Sequence, residues 1–372
     1  MKVRMPPPPP ASREPSSPLP PGARSGGRSS GTQNSPAWAD ASDHELLQLR
    51  LCDLGLKIGG ELQGRIDRLY DELARRGLTR FRPHCWLSTE WFSPDGVPGI
   101  ALPFYLAHPR LMRLEKSRML GVEGGSESAC LRILRHEAGH CVSTAYRLHL
   151  RKSWRQHFGR FAEPYPEVYR PRPSSRDFVV HLDGWYAQAH PAEDFAETFA
   201  VWLTPRSRWR SRYADWPALA KLEYVDQAMR EIAETSGSPP VRSRHHIEPI
   251  SRDRRTLGAY YHAKQLQYAD EAPDLIDEEL RRIFSDQPRY ARRPTAASFL
   301  RHVRAEVRQD VAQWTGLHAY SVDQILRDMI ERCREFKLRQ AGGRPATRRQ
   351  VTLMVTVQAM RHLHRGHRPV AL

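Results

Sequence analysis

The sequence predicts an α+β fold: a small, mostly antiparallel sheet carried by one stretch of chain, with helices before and after it. Two strand-like runs stand together in "FRPHCWLSTEWFSPDGVPGIALPFYLAHP", residues 81–109. Amphipathic helical patterns flank them, and proline and glycine punctuate the boundaries.

Taken in order, residues 1 to about 40 are Pro, Ser, Gly and Arg with almost nothing to bury, which predicts disorder. A helical pattern starts at Ser42, a suitable cap with acidic residues in the first turn, and Gly77 is a suitable stop. The two strand runs follow, with a turn at "SPDG", and Pro103 demotes the second run, "GIALPFYLA", to an edge position. After the glycine-rich "GVEGGSE", with Ser126 as cap and Glu127 against the positive helix end, comes the helix containing "LRILRHEAGHCVSTAYRLHL". A proline-interrupted basic loop spans 164–176. A further helix, "PAEDFAETFAVWLT", opens with Pro191 and stops before Pro205. "ETSGSPPVRSR" reads as a linker, and the amphipathic segments beyond it include "SVDQILRDMIERCREFKLR", whose Ser321 and Gln324 have capping-box spacing. The expected organisation is a disordered arm at 1–40, a mixed domain at 41–235, a linker at 236–252 and an α-helical region at 253–372.

Net charge is +16, rich in arginine and densest from Arg332 to Arg368. That invites a nucleic-acid reading, but no nucleic-acid module accompanies the charge, and a solvated basic surface accounts for it equally. The five cysteines are odd in number and form no CxxC pair, which argues against a disulfide framework and for a reducing compartment. A proline run stands where a signal peptide needs its apolar segment, and no run reaches the ~18 apolar residues of a membrane span. A soluble cytoplasmic protein is expected.

The chemistry concentrates in "RHEAGH". On a helix, residues four apart share a face, so His136 and His140 can offer two imidazoles to one metal ion. Glu137, about 100° away, lies beside that ion and is free to take a proton from a water acidified by it. His-Glu-x-x-His on a helix is therefore a hydrolase pattern, set against the plainer account of a helix whose polar residues face water. The proline-started helix carries Glu193 and Glu197 on one face beside Phe195, Phe199 and Trp202. Either they form an exposed acidic stripe, or Glu193 completes a two-histidine, one-glutamate zinc site with its fourth position left to water. In the second case Glu197 supports it by accepting the ring N–H of a ligating histidine. Asp194 competes as ligand from a position about 100° around the helix. Cys141 points off the ligand face and nothing activates it as a nucleophile.

"RHEAGH" followed by "HPAEDFAETFA" resembles the gluzincin branch of zinc metallopeptidases, most nearly the zinc-binding metallopeptidases of bacteria and, more distantly, the catalytic domain of anthrax lethal factor. The resemblance covers roughly residues 97–230. It implies a zincin-like domain within 41–235, one Zn2+ on His136, His140 and Glu193, Glu137 as general base, Glu197 in support, and a peptide or protein substrate. In the lethal factor domain a tyrosine seven residues before the glutamate ligand assists the oxyanion; Tyr186 stands at that place here, with a merely packed tyrosine, or His181 or His190 in that role, as alternatives. The resemblance further implies that "GIALPFYLA" is the edge strand that pairs with an extended substrate. A zinc-binding protein without peptidase activity and a basic nucleic-acid-associated protein are the competing functions.

Overall fold

Ser42 opens the first helix as its sequence suggests. Its hydroxyl accepts the Glu45 N–H, and the Glu45 carboxylate accepts the Ser42 N–H, a reciprocal capping box at the start of α1 (Asp43–Gln48). The pattern from Ser42 to Gly77 is not one helix. The chain leaves helical geometry at Leu49 and makes a short 3-10 turn at Leu51–Leu54. It resumes as α2 (Gly60–Arg75), with Gly77 in the left-handed region just past its end. Tertiary pairing explains the break. Leu51 N–H donates to Arg255 O, Cys52 N–H to Asp253 O, and Leu49 O accepts the Leu257 N–H, so the interrupted residues bind a distant part of the chain.

The structure is a computed structural model that describes residues 36–364 apart from 167, 168, 170, 236, 237 and 269–275. The stretch expected to be disordered thus lies outside the described residues as far as 35, and Ala37–Asp40 form one 3-10 turn.

Strands β1 (His84–Ser88) and β2 (Gly99–Pro103) pair in parallel, His84 against Gly99 through Ser88 against Pro103. This corrects the expected antiparallel pairing. The intervening segment is not a hairpin turn: it returns along the far side of β2, where Phe92 bridges Ala101 in antiparallel sense and accepts its N–H at 2.8 Å. β2 therefore runs the same way as β1 and lies between it and Phe92. All five of its residues are buried, so the expected edge strand is an inner one. Pro103 is tolerated because it is the last residue of the strand, and Phe104–Ala107 form a 3-10 turn instead of continuing it.

Helix α3 (Pro109–Met119) leads to the glycine-rich turn and to α4 (Glu127–Ala145), then α5 (Lys152–Phe158) and α6 (Pro191–Leu203). α4 packs along α6 and against α2 and β2. Leu134, Ala138, Cys141 and Val142 of α4 are fully enclosed with Phe195 and Phe199 of α6, whereas Ile133 is only half-buried. Burying each large apolar side chain is worth about 1.5–3 kcal/mol, which holds the two helices face to face despite the polar residues between them. The short α7 (Trp209–Arg212) and α8 (Ala218–Glu234) back α6; Trp202 Nε1 donates to Asp226 at 2.9 Å.

The stretch expected as linker lies against this layer where it is described. Val241 N–H donates to Ala145 O, Trp86 Nε1 to Ile247 O, and Ser88 Oγ to Glu248 O. Helix α9 (Leu257–Tyr268) lies on the same side, with Tyr260 against Phe104 and Lys264 3.2 Å from Glu115.

A second core belongs to α10 (Ile276–Ile283), β3 (Phe284–Ser285), α11 (Ala296–Thr315), α12 (Ala319–Glu335), β4 (Arg339–Gln340) and α13 (Arg344–His364). Leu280, Phe284, Leu300, Leu326, Met329 and Val355 are among its buried residues. α12 is capped by His318, whose Nδ1 accepts the Tyr320 N–H, and not by Ser321. Ser321 sits inside the helix and donates to Tyr268 O at 3.1 Å, because that buried carbonyl offers it a tertiary partner. No described helix is long and apolar enough to cross a membrane.

Candidate metal centre

Two sets of contacts fix how α4 is rotated. At its start the Ser126 hydroxyl accepts the Ala129 N–H, and Arg65 of α2 donates to the Gly124 and Gly125 carbonyls. One residue before the first histidine, Arg135 makes a two-pronged bond of 2.7 and 2.8 Å to the buried Glu72 of α2. His136 and His140 then face α6.

α6 is set with equal care. His190 caps it, its Nδ1 accepting the Ala192 N–H at 3.1 Å, and Pro191 occupies a position where no N–H is needed. Where the helices cross, a Cβ on Gly139 would lie 2.7 Å from the Ala196 Cα. Real side chains do not come that close, so glycine is what allows the two backbones to approach.

The approach brings three donor atoms together. His136 Nε2 lies 3.1 Å from His140 Nε2 and 3.1 Å from Glu193 Oε2, which is 3.2 Å from His140 Nε2. Ligand atoms about 2.0–2.1 Å from a tetrahedral ion stand roughly 3.3 Å apart, so the triangle fits one metal ion to within a few tenths of an ångström. These three residues are the group among the described residues that could hold a metal ion. One cation would satisfy all three lone pairs at once, whereas protons satisfy them only in pairs.

The surroundings orient the donors. His136 Nδ1 bonds Glu197 Oε1 at 2.8 Å, which leaves Nε2 to face the centre, and Glu197 Oε2 accepts the Leu182 N–H at 2.8 Å. Glu197 is fully buried. Burial opposes charge on His136, but hydrogen bonds and charge from Glu193 and Glu197 outweigh it and hold the imidazolium well above its ordinary pKa. Burial likewise works against Glu193, yet the His140 charge and bonds from both imidazoles hold its carboxyl well below the usual range.

Glu137 lies beside this face, 7% exposed, and its Oε2 has no hydrogen-bond partner among the described residues. A buried carboxylate oxygen without a partner costs about 1–3 kcal/mol or more. Its backbone carbonyl accepts the Ser93 hydroxyl at 3.3 Å.

Tyr186 comes next to the centre, its ring 5.6 Å from that of His136. Gly184 and Trp185, both in left-handed geometry, reverse the chain between Leu182 and Tyr186 so that both reach the site. Burial, then the nearby Glu193, push the Tyr186 phenol far above its ordinary pKa, which keeps it a neutral hydroxyl.

The competing residues are engaged elsewhere. Asp194 turns away to Lys221, 2.6 Å from its Oδ2; burial raises its pKa to about 7 against the pull of that lysine. His181 Nε2 donates to Arg132 O, and His190 Nε2 to Glu163 O, so both are occupied by backbone carbonyls. Cys141 is buried with its Sγ 3.4 Å from Ser93 Oγ, and burial pushes its thiol well above the ordinary pKa, which makes it inert.

Two contributors escaped sequence reasoning. The Leu182 N–H that holds Glu197 is a backbone group and has no residue signature. Tyr165, in the proline-interrupted loop, donates to Glu193 Oε1 at 2.8 Å; no periodicity or motif marks it.

Comparison of the chain with protein-family models, with curated proteins and with solved structures finds no match.

Proposed function

We propose that this chain is a zinc-dependent metallopeptidase. The observation that carries the reading is the convergence of His136 Nε2, His140 Nε2 and Glu193 Oε2 beside Glu137, whose Oε2 has no hydrogen-bond partner among the described residues. Two imidazoles and one carboxylate oxygen are a donor set that suits zinc, and three protein ligands leave a fourth position for water or substrate, unlike a closed structural site. Zinc bound there supplies a Lewis acid for the carbonyl and lowers the pKa of a water to roughly 7.

The chain's own residues do the rest. Glu137 takes a proton from the attacking water as its oxygen bonds to the amide carbon. Tyr186 donates a hydrogen bond to the carbonyl oxygen as negative charge builds on it. Glu137 then delivers the proton to the departing nitrogen as the C–N bond breaks, which returns the carboxylate and balances the hydrolysis. Glu197 keeps His136 in one tautomer throughout.

The test pairs the wild type with Glu137→Gln, both loaded with zinc and given an unfolded protein substrate. The wild type cleaves it, a chelator stops cleavage and zinc restores it. The variant keeps one zinc per chain and loses about 10²–10⁴-fold in rate. A wild type that holds zinc and cleaves nothing, or a variant as active as the wild type, refutes the proposal.

A further inference from the structure

Tyr165 stands on a segment anchored at both ends. On its entry side, Phe161 packs against His149 with ring centroids 4.4 Å apart, and the Glu163 carbonyl accepts the His190 Nε2 proton at 2.8 Å. On its exit side, the Tyr169 hydroxyl donates to Gly184 O at 2.9 Å. Arg172 and Gln188 exchange two hydrogen bonds there, of 2.8 and 3.0 Å. Between these anchors the Tyr165 ring stacks on the His190 imidazole, centroids 3.8 Å apart and 17° from parallel. Its hydroxyl reaches Glu193 Oε1 at 2.8 Å. His190 therefore does three things at once: it caps α6, holds the Glu163 carbonyl and forms the platform for Tyr165.

The two oxygens of Glu193 are divided by this arrangement. Oε2 faces both imidazoles at 3.1 and 3.2 Å, while Oε1 is taken by the phenol. A carboxylate free to rotate can offer both oxygens to a cation, and a second oxygen would occupy the position that water or substrate needs. We infer that Tyr165 is a positioning residue: its hydroxyl holds Oε1 of Glu193 away from the metal, so that the glutamate binds through Oε2 alone and the fourth position stays open. The inference rests on the metal reading of the site given above and adds to it a determinant of how the glutamate binds. It needs no peptidase activity to be true.

Tyr165→Phe separates the hydroxyl from the ring, since phenylalanine keeps the stack on His190 and removes only the bond to Glu193. Two readouts other than hydrolysis apply. Zinc affinity, measured by competition with a chromophoric chelator, is expected to fall about 10–100-fold, the usual effect of losing a partner of a metal ligand. The visible spectrum of the Co2+-substituted protein is expected to change in band position and intensity, as Glu193 engages through both oxygens and the second one takes the fourth position from water. Thermal unfolding of the metal-free variant checks that the fold is retained: the transition should stay cooperative and fall only slightly, since Glu193 Oε1 loses one buried hydrogen bond. Tyr165→Leu, which removes the stack as well, should weaken zinc at least as much.

Zinc affinity within about twofold of wild type together with an unchanged cobalt spectrum in Tyr165→Phe overturns the inference. So does weakened affinity with an unchanged cobalt spectrum, which would assign the loss to the fold and not to how Glu193 binds. A wild type that binds no zinc overturns both this inference and the metallopeptidase reading. One that binds zinc without cleaving peptides overturns only the latter.

Discussion

At the scale of single residues, the informative ones are those whose polar atoms have one partner and a reason for it. Glu197 is fully buried, with one oxygen on His136 Nδ1 and the other on the Leu182 N–H. Glu197→Ala leaves both donors without acceptors and frees the His136 ring. The account expects zinc affinity to fall about 10–100-fold and the metal-free protein to lose about 1–3 kcal/mol, read by chelator competition and by urea unfolding. Unchanged affinity would mean the bond to His136 does nothing for the metal. His136, His140, Glu193 and Glu197 were legible in sequence because helical spacing fixes which residues share a face, and two such pairs needed only to meet. Asp194 was separable from Glu193 by the same rule, and it turns to Lys221. Tyr165 was not legible, because a loop has no period from which to infer direction.

At the scale of elements, the meeting of α4 and α6 decides the site. Their backbones approach where Gly139 faces Ala196, with no room for a side chain. Gly139→Ala should push the helices apart by a few tenths of an ångström or more and cost about 1–3 kcal/mol through overpacking. Zinc affinity should fall with it, because the histidines and Glu193 sit on opposite sides of the widened gap. Calorimetry with and without zinc checks both, and a variant with wild-type stability and affinity would show that the approach is looser than described. Helices α4 and α6 were readable from their starts: Ser126 caps α4 and Pro191 opens α6 as the sequence suggested, although the cap of α6 is His190. The sheet was less readable. Periodicity identified two extended runs but carried no information on strand direction, which here depends on Phe92 returning along the far side of β2. Likewise Ser321 had the spacing of a cap, but a buried carbonyl at Tyr268 claimed its hydroxyl.

At the scale of the whole molecule, the charge of +16 is distributed, and part of it is matched internally. In the C-terminal helices Asp323 gathers Arg304, Arg308 and Arg327, Glu279 pairs with Arg361, and Glu306 with Arg348. Such networks spend arginines on holding α11, α12 and α13 together and leave fewer for an external polyanion. Composition gives the sum of the charges, and only the fold shows which of them are paired. The candidate metal centre, by contrast, draws on residues far apart in the chain yet gathered in one buried place, with His136, Glu193 and Glu197 each no more than 4% exposed. The most direct test of the account is the zinc content of Glu193→Ala beside the wild type, measured by atomic emission after exhaustive dialysis. The account predicts about one equivalent in the wild type and a small fraction of one in the variant, since a single carboxylate completes the triangle. A full equivalent in both would contradict it.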